Sequence, residues 1–251
     1  MNSKKNYKVQ DFPSWKEFAW KTFLFHTWNS SDGYIDLMRD NRFTGQMWNV
    51  LPKLNDPNYI AQRIIKFLGK YGCHTPNSDS VTNDLEAALK EAERYLQALS
   101  ERIIENVNFN TIMDDNICGN MEGRTVKDVV EYLYKRFDKV PRIGTTATGK
   151  LLHVLRPKLF LMWDKGIRKH YSINESSSGY CLFLIKMKAF TETINRVFNE
   201  AYPCCPQPPA TYLSQKFDID PPKTLAKFID EYNWMTFTKE IATPPPSWYP
   251  Y

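Results

Sequence analysis

The residues most able to do chemistry lie together in Val140–Tyr171, VPRIGTTATGKLLHVLRPKLFLMWDKGIRKHY. Within it, Arg142-Ile143-Gly144-Thr145 reads as a short turn between two amphipathic helices. Gly144 is expected to take a left-handed conformation there, so that backbone N–H groups can approach an anion closely. The next helix begins at Thr145 or Thr146, where free N–H groups and the helix dipole favour a phosphate. Lys150 stands one turn further on and adds a cation. Arg142, Ile143, Gly144, Thr145, Thr146 and Lys150 thus read as a phosphate-gripping turn that positions a nucleic acid without reading its sequence.

Pro157 stops the helix after the turn, Leu159, Phe160 and Met162 form a buried run, and Asp164 follows directly on Trp163. At the start of a further helix, Asp164 can serve as an N-cap accepting from the Ile167 N–H. The same carboxylate, fixed beside an electropositive turn, can also act in catalysis, and the local pattern serves both roles. Lys165 and Arg168 follow on that helix and are expected on backbone phosphates or in solvent, as is Lys169. His153 falls inside the helix after the turn and is expected to pack rather than react. Asp114-Asp115 reads as a solvated turn, and no metal site or cofactor is expected. The five cysteines lack the paired spacing of a zinc or iron–sulfur site and read as reduced thiols, adjacent Cys204-Cys205 included.

The elements that must hold these residues are helical. Ser14–His26, Asn58–Tyr71, Ser80–Glu105 and Thr125–Phe137 carry apolar residues at helical spacing, with Ser80 and Thr82 as potential caps. Further helices are expected at Thr145–Leu155, Lys165–Tyr171, Gly179–Asn199 and Pro222–Tyr232, the last reading as packing of a second lobe. Gly72–Asp79 and the proline-rich Tyr202–Pro209 read as loops, and Thr243–Tyr251 as an extended strap or a loose tail. Alternating strands with hairpin turns are scarce, so the fold class is all-α. Trp15, Trp20, Trp28 and Trp48 cluster early, mostly as core, with one or two able to line a stacking pocket.

Charge narrows the partner. The chain has 33 basic and 28 acidic residues, net +5. The 48 residues from Gly123 to His170 hold 12 Lys or Arg against 4 Asp or Glu, a local +8, which leaves 21 against 24, or −3, for the rest. Such asymmetry suits a polyanion, because neutralised phosphates release counterions. The apolar runs Leu159–Trp163 and Cys181–Ile185 are five residues each, far too short to cross a bilayer. With no apolar stretch behind Met1–Tyr7 to form a secretory signal, a cytoplasmic location is expected and no membrane partner.

Ile143-Gly144-x-x-Ala147 followed by Trp163-Asp164-x-x-Ile167 resembles the helix-hairpin-helix DNA glycosylase superfamily. That family carries a Gly-hydrophobic-Gly hairpin, a helix, and an aspartate about twenty residues after the second glycine; Gly144 to Asp164 is twenty. The likeness covers roughly thirty of 251 residues. Arg142 stands where the hairpin's first glycine is usual, and Thr146 where bifunctional members carry a Schiff-base lysine. The cysteine pattern of the iron–sulfur branch is missing.

The resemblance implies a two-lobed helical fold. Residues 30–170 would carry the hairpin (about 125–171), and residues 1–29 with 171–251 would form the second lobe. It implies a monofunctional glycosylase without a cofactor, binding double-stranded DNA, with Asp164 as the catalytic residue. The base is not legible in the motif: family members remove damaged or mismatched bases, and a hypermodified cytosine in phage DNA, hence antiviral defence, is one possibility. No obligate protein partner is expected. Two other readings share the basic segment: a non-catalytic hairpin DNA-binding protein, and a helical adaptor for an acidic protein.

Overall fold

A computed structural model describes residues 12–28, 33–47, 56–113 and 124–248. Trp48, Asp114, Asp115 and Cys118 lie outside these residues. The described residues form eleven α-helices: α1 (Trp15–Trp28), α2 (Gly33–Met38), α3 (Asn41–Met47), α4 (Pro57–Lys70), α5 (Asp79–Ala98), α6 (Val126–Asp138), α7 (Thr145–Leu155), α8 (Lys165–Tyr171), α9 (Ser177–Ala201), α10 (Pro209–Lys216) and α11 (Leu225–Asn233). A π-helical turn, Trp234–Thr238, continues α11. Beyond an isolated antiparallel bridge between Ile112 and Thr125, the described residues hold no extended pairing, as the all-α expectation requires. No helix among them is long and apolar enough to cross a membrane.

Local chemistry sets the helix limits. Thr125 and Asp128 make a reciprocal capping box at α6, and Asp56 caps α4 with Pro57 in its first turn. Helix α5 departs from the sequence expectation at both ends. Its cap is Ser78, so Ser80 and Thr82 lie inside the helix. It stops at Ala98 rather than Glu105, and the buried Arg156 guanidinium satisfies the Leu96 carbonyl (2.8 Å) in the last turn. The chain then turns so that Ile104 N–H reaches the Lys158 carbonyl at 2.9 Å.

Helix α4 packs on α5 and α7, and α6 packs on α5 and α7. Helix α1 packs on α9, α11 and the π turn, α8 lies on the same turn, and α9 reaches across to α6. The buried apolar side chains make one continuous core through all of these. The strap is real over 243–248: Trp248 meets Trp20 edge-on (5.0 Å), and Lys16 Nζ donates to the Pro246 carbonyl (2.8 Å). Of the early tryptophans, Trp15 is core and Trp28 is exposed; neither lines the cavity described below.

What positions Asp164 is the packing of Trp163. This indole is fully buried against α7, where a Cβ on Gly149 would stand 2.8 Å from its Cδ1. Only glycine lets the ring come this close. Gly149→Ala should therefore destabilise the fold by about 1–3 kcal/mol, the usual cost of overpacking. In a chain of this size each kcal/mol lowers Tm by roughly 2–4 °C, and an unchanged melt would show that the indole yields at no cost.

Candidate functional site

The turn expected at residues 142–145 lies between α6 and α7, with a conformation that differs from the expected one. Gly144 is not left-handed: it is an extended N-cap residue (φ −89°, ψ 176°). The left-handed residue is Arg142 (φ 68°), which takes the strained position at the start of the turn. Gly144 matters for what is in front of it, since a Cβ there would meet nothing within 4 Å. Helix α7 begins at Thr145, and no side chain caps its first N–H groups. Behind it, the Thr145 carbonyl accepts from Trp163 Nε1 (3.2 Å) and from the Tyr134 hydroxyl (3.5 Å), whose pKa burial pushes up.

Asp164 is the N-cap of α8 and is half-buried. Its Oδ1 accepts from Ile167 N–H (2.9 Å), and its Oδ2 accepts from the Thr238 hydroxyl (2.7 Å) in the π turn. Gly166 allows that second bond, because a Cβ there would press on Phe237 O at 2.8 Å and on Thr238 Oγ1 at 2.9 Å. The carboxylate is thus held from both sides, and it lines a cavity of about 190 Å³. Phe25, Tyr71, Trp163 and Trp234 supply aromatic walls to that cavity, and Lys70, Lys150 and Asp230 supply polar groups.

The other expected phosphate contacts divide. Arg142 and Lys165 are exposed, as are Lys139 and Lys169, and none of these four makes an ion pair among the described residues. Gly144, Thr145 and Thr146 present the turn, whereas the Ile143 side chain points into the core. Lys150 does not reach the outer surface of the hairpin. It turns into the cavity, where Nζ donates to the Tyr71 carbonyl at 2.6 Å and lies beside the Cys73 thiol. Arg168 is buried, stacked over the Trp163 indole (5.3 Å), bonded to Thr146 Oγ1 (3.3 Å) and ion-paired with Glu175. It ties α8 to the start of α7 rather than meeting solvent. Arg156 is likewise buried, and burial pushes its pKa down to about 10. His153 is fully buried with Nδ1 2.6 Å from the Phe160 carbonyl, as a packing residue.

The residues that sequence reasoning missed are Phe25, Tyr71, Asp230 and Trp234. Helix α11 is buried over its whole length, yet it contains Lys227, Asp230 and Glu231. Lys227 Nζ pairs with Asp230 Oδ2 (2.8 Å) and Glu231 Oε1 (3.4 Å), and Lys223 Nζ holds Glu231 at 2.7 Å. Burial raises the Asp230 pKa; Lys227 and Lys150 oppose that shift and the Asp164 charge adds to it. The available signal was the Lys-x-x-Asp-Glu spacing inside an otherwise apolar helix. Among the described residues no group of three or more His, Cys, Asp or Glu could hold a metal ion.

Comparison of the chain with protein-family models, curated proteins and solved structures gives no match, so the geometry alone carries the reading. The buried network makes a direct prediction. Lys227→Met strips buried Asp230 of its cation and leaves Glu231 with Lys223 alone, and should cost about 3–5 kcal/mol in denaturant unfolding. Lys165→Met on the exposed face should stay within about 0.5 kcal/mol of the parent. Equal effects would mean that the network contributes nothing.

Proposed function

We propose that this protein is a monofunctional DNA glycosylase working in the cytoplasm. One observation carries the reading: a carboxylate fixed at a helix N-terminus lines an aromatic cavity, and the helix packed behind it opens in an uncapped turn. Duplex DNA would lie across the hairpin, its phosphates meeting the free N–H groups at Gly144–Ala147 and the exposed Lys139, Arg142, Lys165 and Lys169. The target nucleotide would swing out of the stack, and its base would enter the cavity against Phe25, Tyr71 and Trp234.

The chemistry follows from the position of Asp164. As the C1′–N bond breaks, positive charge develops on the sugar, and a preorganised carboxylate stabilises it without reorganising. The base departs with the bonding pair, water adds its oxygen to C1′, and the proton that this water gives up to Asp164 passes on to the departed base. The product is an abasic site. Thr146 offers no amine, so no imine forms at that position. The two-lobed arrangement belongs to the same reading, with residues 30–170 gripping the hairpin side and both termini closing the cavity. A damaged base and a hypermodified base of phage DNA remain alternative targets.

The test is incubation with genomic DNAs of different modification status, scoring abasic sites against Asp164→Asn. The variant should lose roughly 10²–10³-fold in base release and keep its duplex affinity. That affinity should fall with salt, and an Arg142→Ala/Lys165→Ala double variant should flatten the slope by about two. Full excision by the Asp164→Asn variant, or no abasic sites in any DNA, would overturn the proposal; salt-dependent binding alone would leave a non-catalytic hairpin protein.

A further inference from the structure

Asp230 enters the cavity from α11 with its carboxyl almost wholly buried. Oδ2 accepts from Lys227 Nζ, and no other hydrogen bond reaches this carboxyl among the described residues. Its other oxygen accepts no hydrogen bond from the described residues, so an acceptor is open to an N–H or O–H of a ligand in the cavity. Lys150 lines the same cavity. One of its N–H groups is held by the Tyr71 carbonyl, which leaves N–H donors for a ligand acceptor. An acceptor and a donor thus face one space walled by Phe25, Tyr71 and Trp234, the shape and chemistry of a flat heterocycle with a donor beside an acceptor.

We propose that Asp230 reads the pairing edge of the extruded base and selects bases that carry an amino group next to a ring nitrogen, the pattern of cytosine and adenine. The inference deepens the glycosylase reading and rests on it for the DNA context. The free oxygen of Asp230 accepts from the exocyclic amino group, while Lys150 donates to the adjacent ring nitrogen. Uracil and thymine place their single ring N–H between two carbonyl oxygens, and one of those would press on the carboxylate. Guanine presents two N–H groups side by side and is best read by two free carboxylate oxygens, one of which Lys227 already occupies. Lys227 keeps Glu231 as a counterion when Asp230 is replaced, so Asp230→Asn retains a paired cation.

The experiment titrates the free bases cytosine, adenine and uracil into the full chain and follows the indole N–H signals of Trp163 and Trp234 by NMR. Cytosine and adenine should bind about tenfold more tightly than uracil. Asp230→Asn, whose amide can donate, should reverse the order. If Asp230→Asn does not fold, Lys150→Met serves in its place and should weaken cytosine and adenine about tenfold. An unchanged order in the variant, or no shift with any base, overturns the proposal. The two readings fail separately. Base binding as described with no abasic sites in any DNA would sink the glycosylase alone. Asp164-dependent excision with base preference untouched in Asp230→Asn would sink the assignment of Asp230 alone.

Discussion

The Trp163 indole is the contact on which the site depends. It is fully buried, donates to the Thr145 carbonyl at 3.2 Å, and lies so close to α7 that residue 149 has to be glycine. Tyr180 meets the ring edge-on at 5.0 Å, and Arg168 covers it while reaching Thr146. Through one side chain the start of the hairpin helix and the backbone that presents Asp164 become a single unit. An electrostatic group acts in catalysis only to the extent that it is already in place when charge develops, and this packing holds it there.

The second constraint is the charge inside α11. An apolar helix of the same volume would hold the fold as well or better, because two desolvated ions recover little more than they lose. Lys227, Asp230 and Glu231 nevertheless form ion pairs with one another and with Lys223, and Asp230 also lines the cavity. The polar chemistry of the pocket is therefore built from the core outward, on a helix that shows no polar face to solvent.

Much of the frame was legible in the sequence for identifiable reasons. Thr145–Leu155 and Lys165–Tyr171 appear where the periodicity and the proline at 157 place them, and Asp164 caps α8 through Ile167 as its type and position suggest. The rest depended on contacts distant along the chain. Arg156 satisfies a carbonyl in the last turn of α5 from sixty residues away. Asp230 and Trp234 reach the cavity only because α11 packs beside α1, a relation that periodicity does not encode. The inward turn of Lys150 answers the Tyr71 carbonyl at the end of α4, 79 residues earlier. Cation counting misleads for the same reason: Arg156 and Arg168 belong to the basic stretch but are spent in the interior, so the surface available to a polyanion is narrower than the local charge suggests.

Base removal by this site requires the Asp164 carboxylate to face the sugar carbon of a bound nucleotide. The direct measurement compares Kd for two duplexes, one carrying a cationic pyrrolidine in place of the target sugar and one a neutral tetrahydrofuran. The cationic duplex should bind about tenfold more tightly, a difference of about 1.4 kcal/mol, and Asp164→Asn should erase the preference. Equal affinities for the two duplexes, or a preference that survives in the variant, would contradict the account.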